Sequence, residues 1–158
     1  MFRITNLNLK NMKIYLGSDH AGFQMKEVLR AYLADEGFEV EDLGPENEES
    51  VDYPDFGRAV GEAVVADEGS YGLLVCGTGI GIGIAANKVD GVRAATIHDE
   101  FTARAAREHN NANVISMGAR IIDDEMAKKL ADAFFEAEFE GGRHERRVNK
   151  ITAIENGE

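Results

Sequence analysis

Strand-like apolar runs that alternate with stretches of helical periodicity predict an α/β fold, a three-layer αβα sandwich on a five-stranded parallel sheet with right-handed crossovers. One run, Gly72 to Val75, is apolar throughout, as suits a strand covered on both faces. Glycines and polar residues gather just after the strand-like runs, where open sheets of this class bind their ligands. A chain of 158 residues fits one domain and can bury roughly 70% of its unfolded surface, so it needs no disulfide or metal staple.

The elements follow in order. Lys13 to Gly17 (KIYLG) reads as the first strand, with Ser18, Asp19 and His20 at its tip. Ala21, Met25, Val28, Leu29, Tyr32 and Leu33 recur at helical spacing until Gly37 supplies a stop. Phe38 to Leu43 alternates like a strand near an edge, and an acidic loop over 44–52 leads to a helix opened by Tyr53-Pro54, with Phe56, Val60, Ala63 and Val64 as its apolar stripe. After the central stretch, Val92 to Ile97 reads as a strand, Asp99 caps a helix that runs to His109, and Asn113 to Met117 is the fifth strand. Asp123 to Phe135 is amphipathic, and Gly141-Gly142 separates it from a last helix rich in arginine. With a flavodoxin-like, broadly Rossmann-like strand order, the first and third strands flank the binding crevice.

The chain is organised around Tyr71 to Lys88, YGLLVCGTGIGIGIAANK. The third strand delivers the single cysteine, Cys76, to its tip, and the glycine-rich run Gly77 to Gly83 can turn backbone amides toward an anion. A helix expected over Ile84 to Lys88 adds the positive end of its dipole. The spacing fits neither GxxxxGK[ST] nor GxGxxG, so nucleotide binding is not supported. The residues alone also suit a tight turn with a buried structural thiol, although glycines beyond the one or two a turn needs each cost about 0.5–1 kcal/mol.

A formal charge of −12 argues against a nucleic-acid or anionic-membrane surface, so an anionic substrate needs a local basic pocket. One cysteine excludes an intrachain disulfide and a multi-cysteine zinc site, and points to a reducing compartment. No run approaches transmembrane length. Residues 1–11 lack the continuous apolar core of a signal peptide and are expected to be a disordered extension before one domain over 12–158.

His109 ends a crossover helix, and such a helix runs back to the amino edge of the sheet, away from the crevice. If His109 is functional, a second subunit supplies it; a histidine near a helix C-terminus also suits the dipole without any function. Arg143 and Arg147 are four apart and can form a fork around a phosphate, though a basic helix face is also commonly just solvated.

These residues closely resemble the type B ribose-5-phosphate isomerase family, which also includes the galactose-6-phosphate isomerase subunits. The matching pieces are GSDHAGF (Gly17 to Phe23), DYPDF (Asp52 to Phe56), CGTGIGIGIAANK (Cys76 to Lys88), REHNNANV (Arg107 to Val114), GAR (Gly118 to Arg120) and GGRHERRV (Gly141 to Val148). The resemblance covers nearly everything from Met12 onward. It implies a cytoplasmic enzyme of the pentose phosphate pathway that isomerises a five-carbon aldose phosphate to its ketose without metal or cofactor. It also implies a homodimer or dimer of dimers with shared active sites. By position, Cys76 is the base between C2 and C1, as in the cysteine branch of the family. His109 opens the sugar ring with help from Asp19, and Thr78 assists. The amides of Gly77, Thr78, Gly79, Ile80 and Gly81 stabilise the enediolate, while His20, Asn110, Arg120, Arg143 and Arg147 bind hydroxyls and phosphate. His98 matches no role.

The chemistry agrees, since removing a proton beside a carbonyl needs a base within reach and donors aimed at the developing oxyanion. Thiols are helped toward the thiolate by amides and helix N-termini. Other readings of the same residues are an isomerase of allose 6-phosphate or galactose 6-phosphate, a non-catalytic sugar-phosphate sensor, and a thiol-dependent hydrolase using Cys76 and His109.

Overall fold

The computed structural model describes residues 12–158, so the extension expected over 1–11 lies outside the described residues. The strands are β1 (Lys13–Ser18), β2 (Glu39–Asp42), β3 (Tyr71–Cys76), β4 (Ala94–Thr96) and β5 (Val114–Gly118). They alternate with the helices α1 (Phe23–Asp35), α2 (Tyr53–Ala66), α3 (Ile80–Asn87), α4 (Glu100–Glu108) and α5 (Asp124–Glu136), and α6 (Arg143–Glu155) follows.

All pairings in the sheet are parallel, in the order β2-β1-β3-β5-β4. The fold class is the expected one, but the two outer strands are exchanged relative to a flavodoxin-like order. β5 pairs with β3 from Gly72↔Val114 to Cys76↔Gly118, and β4 takes the edge. The reason lies in their sequences. Every residue of β5 (VISMG) is buried, whereas β4 (AAT) is partly exposed, and the strand with more to hide takes the inner place.

The connections β1 to β2 and β4 to β5 step one way across the sheet, and α1 and α4 pack with α5 on one face. The connections β2 to β3 and β3 to β4 step the other way and place α2 and α3 together on the opposite face, as a single crossover hand requires. The pleat divides the core accordingly. Leu16, Leu73, Val75, Ile115 and Met117 pack with Leu29, Leu33, Leu130 and Phe134. Leu74 and Cys76 turn toward Val60, Val64, Ile82 and Ala86 on the α2–α3 side. The alternation of β3 therefore decides which helices the thiol meets.

Two polar devices complete the scaffold. The side chain of Lys26 in α1 is fully buried; its Nζ donates to Asp42 Oδ2 at 2.6 Å and to the Pro45 carbonyl at 2.9 Å, and it lies 5.0 Å from the centroid of the Phe23 ring. It ties α1 to the end of β2 and to the loop that follows. At the other border, Asn87 at the end of α3 donates from Nδ2 to the Ala94 carbonyl (2.9 Å) and accepts the Ala94 N–H at Oδ1 (2.8 Å), pairing with the outer edge of β4.

Candidate active site

The carboxyl ends of β1, β3 and β5 meet at one crevice. Asp19 follows β1, and its N–H donates to the Val75 carbonyl at 3.2 Å, which fixes the tip of β1 against β3. Asp19 is buried, and its Oδ1 accepts the Gly22 N–H at 3.0 Å, stabilising the turn into α1. His20 stands beside it and accepts the Val51 N–H at Nδ1 (3.3 Å). In the neutral ring the proton then sits on Nε2. The acidic loop that carries Val51 is the one whose start Lys26 anchors through Pro45.

At the tip of β3 the Sγ of Cys76, a free and buried thiol, accepts the Gly79 N–H at 3.1 Å. Gly79 is the N-cap of α3 with φ +79°, and a Cβ there would lie 2.8 Å from the Met117 carbonyl carbon. Only glycine fits that left-handed, tightly packed position. Its carbonyl accepts from Ser116 Oγ at 2.8 Å and from Thr96 Oγ1 at 3.2 Å, and those two hydroxyls are 2.9 Å apart. Two strands thus hold the residue whose amide faces the thiol. Thr78 is exposed beside it, and its Oγ1 accepts the Ile80 N–H at 3.2 Å.

The helix begins at Ile80, four residues earlier than expected, so Gly81 and Gly83 lie inside it. Both positions are filled by neighbours: a Cβ at Gly81 would meet the Tyr53 ring at 2.7 Å, and one at Gly83 would meet Ser116 Oγ at 2.7 Å. The early start sharpens the site, because the first-turn amides of α3, without intrahelical acceptors, open directly beside Cys76. Arg120 follows β5; its N–H donates to the Gly77 carbonyl at 3.0 Å, and its guanidinium lies over Gly77, 3.1 Å from where a Cβ would be. Asp19, His20, Cys76 to Gly81 and Arg120 therefore gather in one place.

His109, Asn110, Arg143 and Arg147 do not join them within this chain. Asp99 caps α4 by accepting the Thr102 N–H at 2.7 Å, and His109 is the C-cap at the other end, near the start of β5. The length of β3 alone puts about 16 Å between the two ends of the sheet. His109 stacks on His144, with ring centroids 4.4 Å apart and planes 11° apart, and its Nε2 is 3.4 Å from Glu140 Oε1. Burial, then the neighbouring His109 and Arg143, push the His144 pKa below the usual imidazole value. Arg143 and Arg147 are exposed on the same α6.

Several residues of the site were not singled out by sequence reasoning. Ser116 left a faint signal, a polar residue in the middle of an apolar strand. Thr96, Lys26 and Glu140 act through partners distant in sequence, and no periodicity marks them.

The family model described as Ribose/Galactose Isomerase matches residues 14–151. The ribose-5-phosphate isomerase B of Escherichia coli is 46% identical over 143 residues, covering 90% of this chain and 96% of that protein. A structure of Clostridium thermocellum ribose-5-phosphate isomerase B aligns with a TM-score of 0.91 at 49% identity, over 92% of this chain and 99% of that one. The Mycoplasma genitalium ribose-5-phosphate isomerase B with bound ribulose-5-phosphate aligns with a TM-score of 0.88 at 42% identity, over 92% and 97% of the two chains.

Proposed function

The chain belongs to the ribose/galactose isomerase family, and from that premise we propose that it interconverts D-ribose 5-phosphate and D-ribulose 5-phosphate. The proton moves between C2 and C1 through an enediolate, with no metal in the step. The observation that carries this reading is the Cys76–Gly79 arrangement, a thiol held at 3.1 Å from an amide at the mouth of a helix. Cys76 as thiolate takes the proton from C2 of the open aldose and returns it to C1. The amides from Gly77 to Gly81 stabilise the charge that develops on the oxygen, the kind of donor whose loss costs roughly 100- to 1000-fold in rate. Thr78 helps move the proton between the two oxygens.

His109, helped by Asp19, opens the furanose ring, and His20, Asn110, Arg120, Arg143 and Arg147 bind hydroxyls and phosphate. Since His109 and the α6 arginines lie at the opposite end of the sheet from Cys76 of the same chain, each complete site takes them from a second copy. The assembly is a homodimer or a dimer of dimers. Exposed Ile80 and Ile84, four apart on α3 beside the crevice, support such a contact. The bound ribulose-5-phosphate of the Mycoplasma genitalium relative supports a five-carbon substrate over a six-carbon one. A free buried thiol suits a reducing compartment and hence the cytoplasm. Among the described residues no helix is long and apolar enough to cross a membrane.

The test is to incubate the purified protein with ribose 5-phosphate in EDTA and follow ribulose 5-phosphate. Turnover that survives the chelator and disappears in Cys76→Ala is expected. A folded, oligomeric protein that is silent on this substrate but active on allose 6-phosphate would replace the pentose with a hexose.

A further inference from the structure

Away from the crevice, three side chains with metal-binding chemistry converge. The ligand atoms of His109, Glu140 and His144 all lie within 4.8 Å of one another. They come from three places in the chain: the C-cap of α4, the connection between α5 and α6, and the first turn of α6.

The backbone holds the trio in place. The Glu140 N–H donates to the Glu108 carbonyl at 3.0 Å, which pins the connection to the end of α4. Gly141 and Gly142 follow with φ of +67° and +56°, a bend that L residues rarely adopt and that turns the chain from Glu140 into α6. The His144 N–H closes the bend on the Gly141 carbonyl at 3.0 Å.

Two imidazoles and a carboxylate are the donor set of three-ligand zinc sites that keep a fourth position open. With metal–ligand bonds near 2.1 Å, tetrahedral geometry sets ligand atoms about 3.4 Å apart. His109 Nε2 and Glu140 Oε1 already stand at 3.4 Å. The widest gap must close by at most about 1.4 Å, and it can do so by rotating His109 and Glu140, whose side chains are 40% and 50% exposed. His144, buried beneath them, is the fixed point. Arg143 and Arg147 oppose a dication, while the carboxylate of Glu140 and the chain's net charge of −12 favour one.

We propose that His109, Glu140 and His144 form a binding site for a zinc-class divalent ion, and that filling it withdraws His109 from the reaction. The ion is a competitor at the sugar-phosphate site, not a cofactor. The inhibitory half rests on the isomerase reading given above; the binding half does not.

The experiment titrates EDTA-stripped full-length protein with Zn²⁺ against a chromophoric chelator, and with Co²⁺ while recording visible d–d absorption. Glu140→Gln, His144→Asn and Cys76→Ser proteins, checked for folding by circular dichroism, are titrated in parallel. One ion per chain is expected, with visible bands typical of low coordination number. Affinity should fall in Glu140→Gln and His144→Asn by at least the roughly 10- to 100-fold that loss of even an outer partner costs a zinc site. It should persist in Cys76→Ser. Zn²⁺ should slow the wild type at concentrations that leave Glu140→Gln at its own metal-free rate. Unchanged affinity in a folded Glu140→Gln overturns the assignment, as does loss of binding in Cys76→Ser. If the protein shows no isomerase activity at all, the functional reading fails while the binding titrations still decide the site.

Discussion

The amide of Gly79 points at the sulfur of Cys76 while the carbonyl of the same residue is gripped by Ser116 and Thr96. The proposed base and its donor therefore depend on two hydroxyls that bond the carbonyl of Gly79 and not its amide. In Ser116→Ala, Thr96 still holds the carbonyl, but the Gly79 peptide gains freedom. The lost hydrogen bond is worth about 1 kcal/mol, roughly fivefold in rate if it is felt wholly at the base. Steady-state kinetics should show kcat falling by about that factor with KM steady to within about twofold, the mark of an effect on chemistry and not on binding. A drop in KM-limited binding with kcat intact would count against the pinning role.

The proposed sharing of sites between two copies makes a clear prediction for mixed assemblies. Cys76→Ala and His109→Asn homodimers should each be nearly inactive, since each lacks one half of every site. Unfolding and refolding them together in equal amounts should restore about a quarter of wild-type activity, because half of the dimers then carry one intact site of two. Mixtures as inactive as their parents, despite proven subunit exchange, would mean that both residues act within one chain.

The Lys26–Asp42 pair should behave asymmetrically. The lysine side chain is fully buried and the aspartate side chain is 24% exposed. Asp42→Ala removes the nearest carboxylate from a buried ammonium, leaving it Glu27 Oε1 at 3.3 Å and the Pro45 carbonyl, and should cost about 3 kcal/mol, whereas Lys26→Met fills the space and leaves a carboxylate that water can reach, for about 1 kcal/mol. For a chain of this size that is a fall in Tm of about 6–12 °C against about 2–4 °C. Equal losses in thermal melts would refute the asymmetry.

His144 ties stability to pH. Its native pKa is lowered, first by burial and then by His109 and Arg143, so in the window just below the ordinary value near 6.5 the unfolded chain binds more protons than the native one. Stability contributed by this group is present above that value and drains away as pH falls toward the lower native one. Tm should therefore decline as pH falls below about 6.5, and His144→Asn should flatten the decline. Burial raises Asp132 and Glu136, which work in the opposite direction, but from the lower carboxylate range. An unchanged slope in His144→Asn would assign the decline to other groups.

The local parts of this architecture were legible in the sequence. Gly72 to Val75 announces a buried strand, Asp99 a cap, and the glycines after Cys76 a loop that can turn its amides toward an anion. The order of the outer strands was not, because whether β4 or β5 sits beside β3 depends on pairing between residues some forty positions apart, such as Gly72 and Val114. The start of α3 was misplaced for a related reason: Gly81 and Gly83 read as loop residues until Tyr53 and Ser116 are seen to occupy the space beside them. Of the site, the Cys76 half follows from strand tips alone. The grouping of His109 with Glu140 and His144 needed the bend at Gly141-Gly142.

The Asn87 amide at the border of β4 bears on how this protein behaves when crowded. A primary amide has the same donor and acceptor as a peptide group, so the exposed edge meets a one-residue imitation of a further strand. Across the sheet, β2 is a strand of only four residues whose exposed Glu39 and Glu41 share Lys13, and a short charged edge of this kind discourages pairing with a second copy of itself. Ribbon-like polymerisation from either margin is thereby disfavoured. Growth by backbone pairing being blocked, self-association is left to side-chain surfaces such as that of Ile80 and Ile84, which can close on a partner and stop.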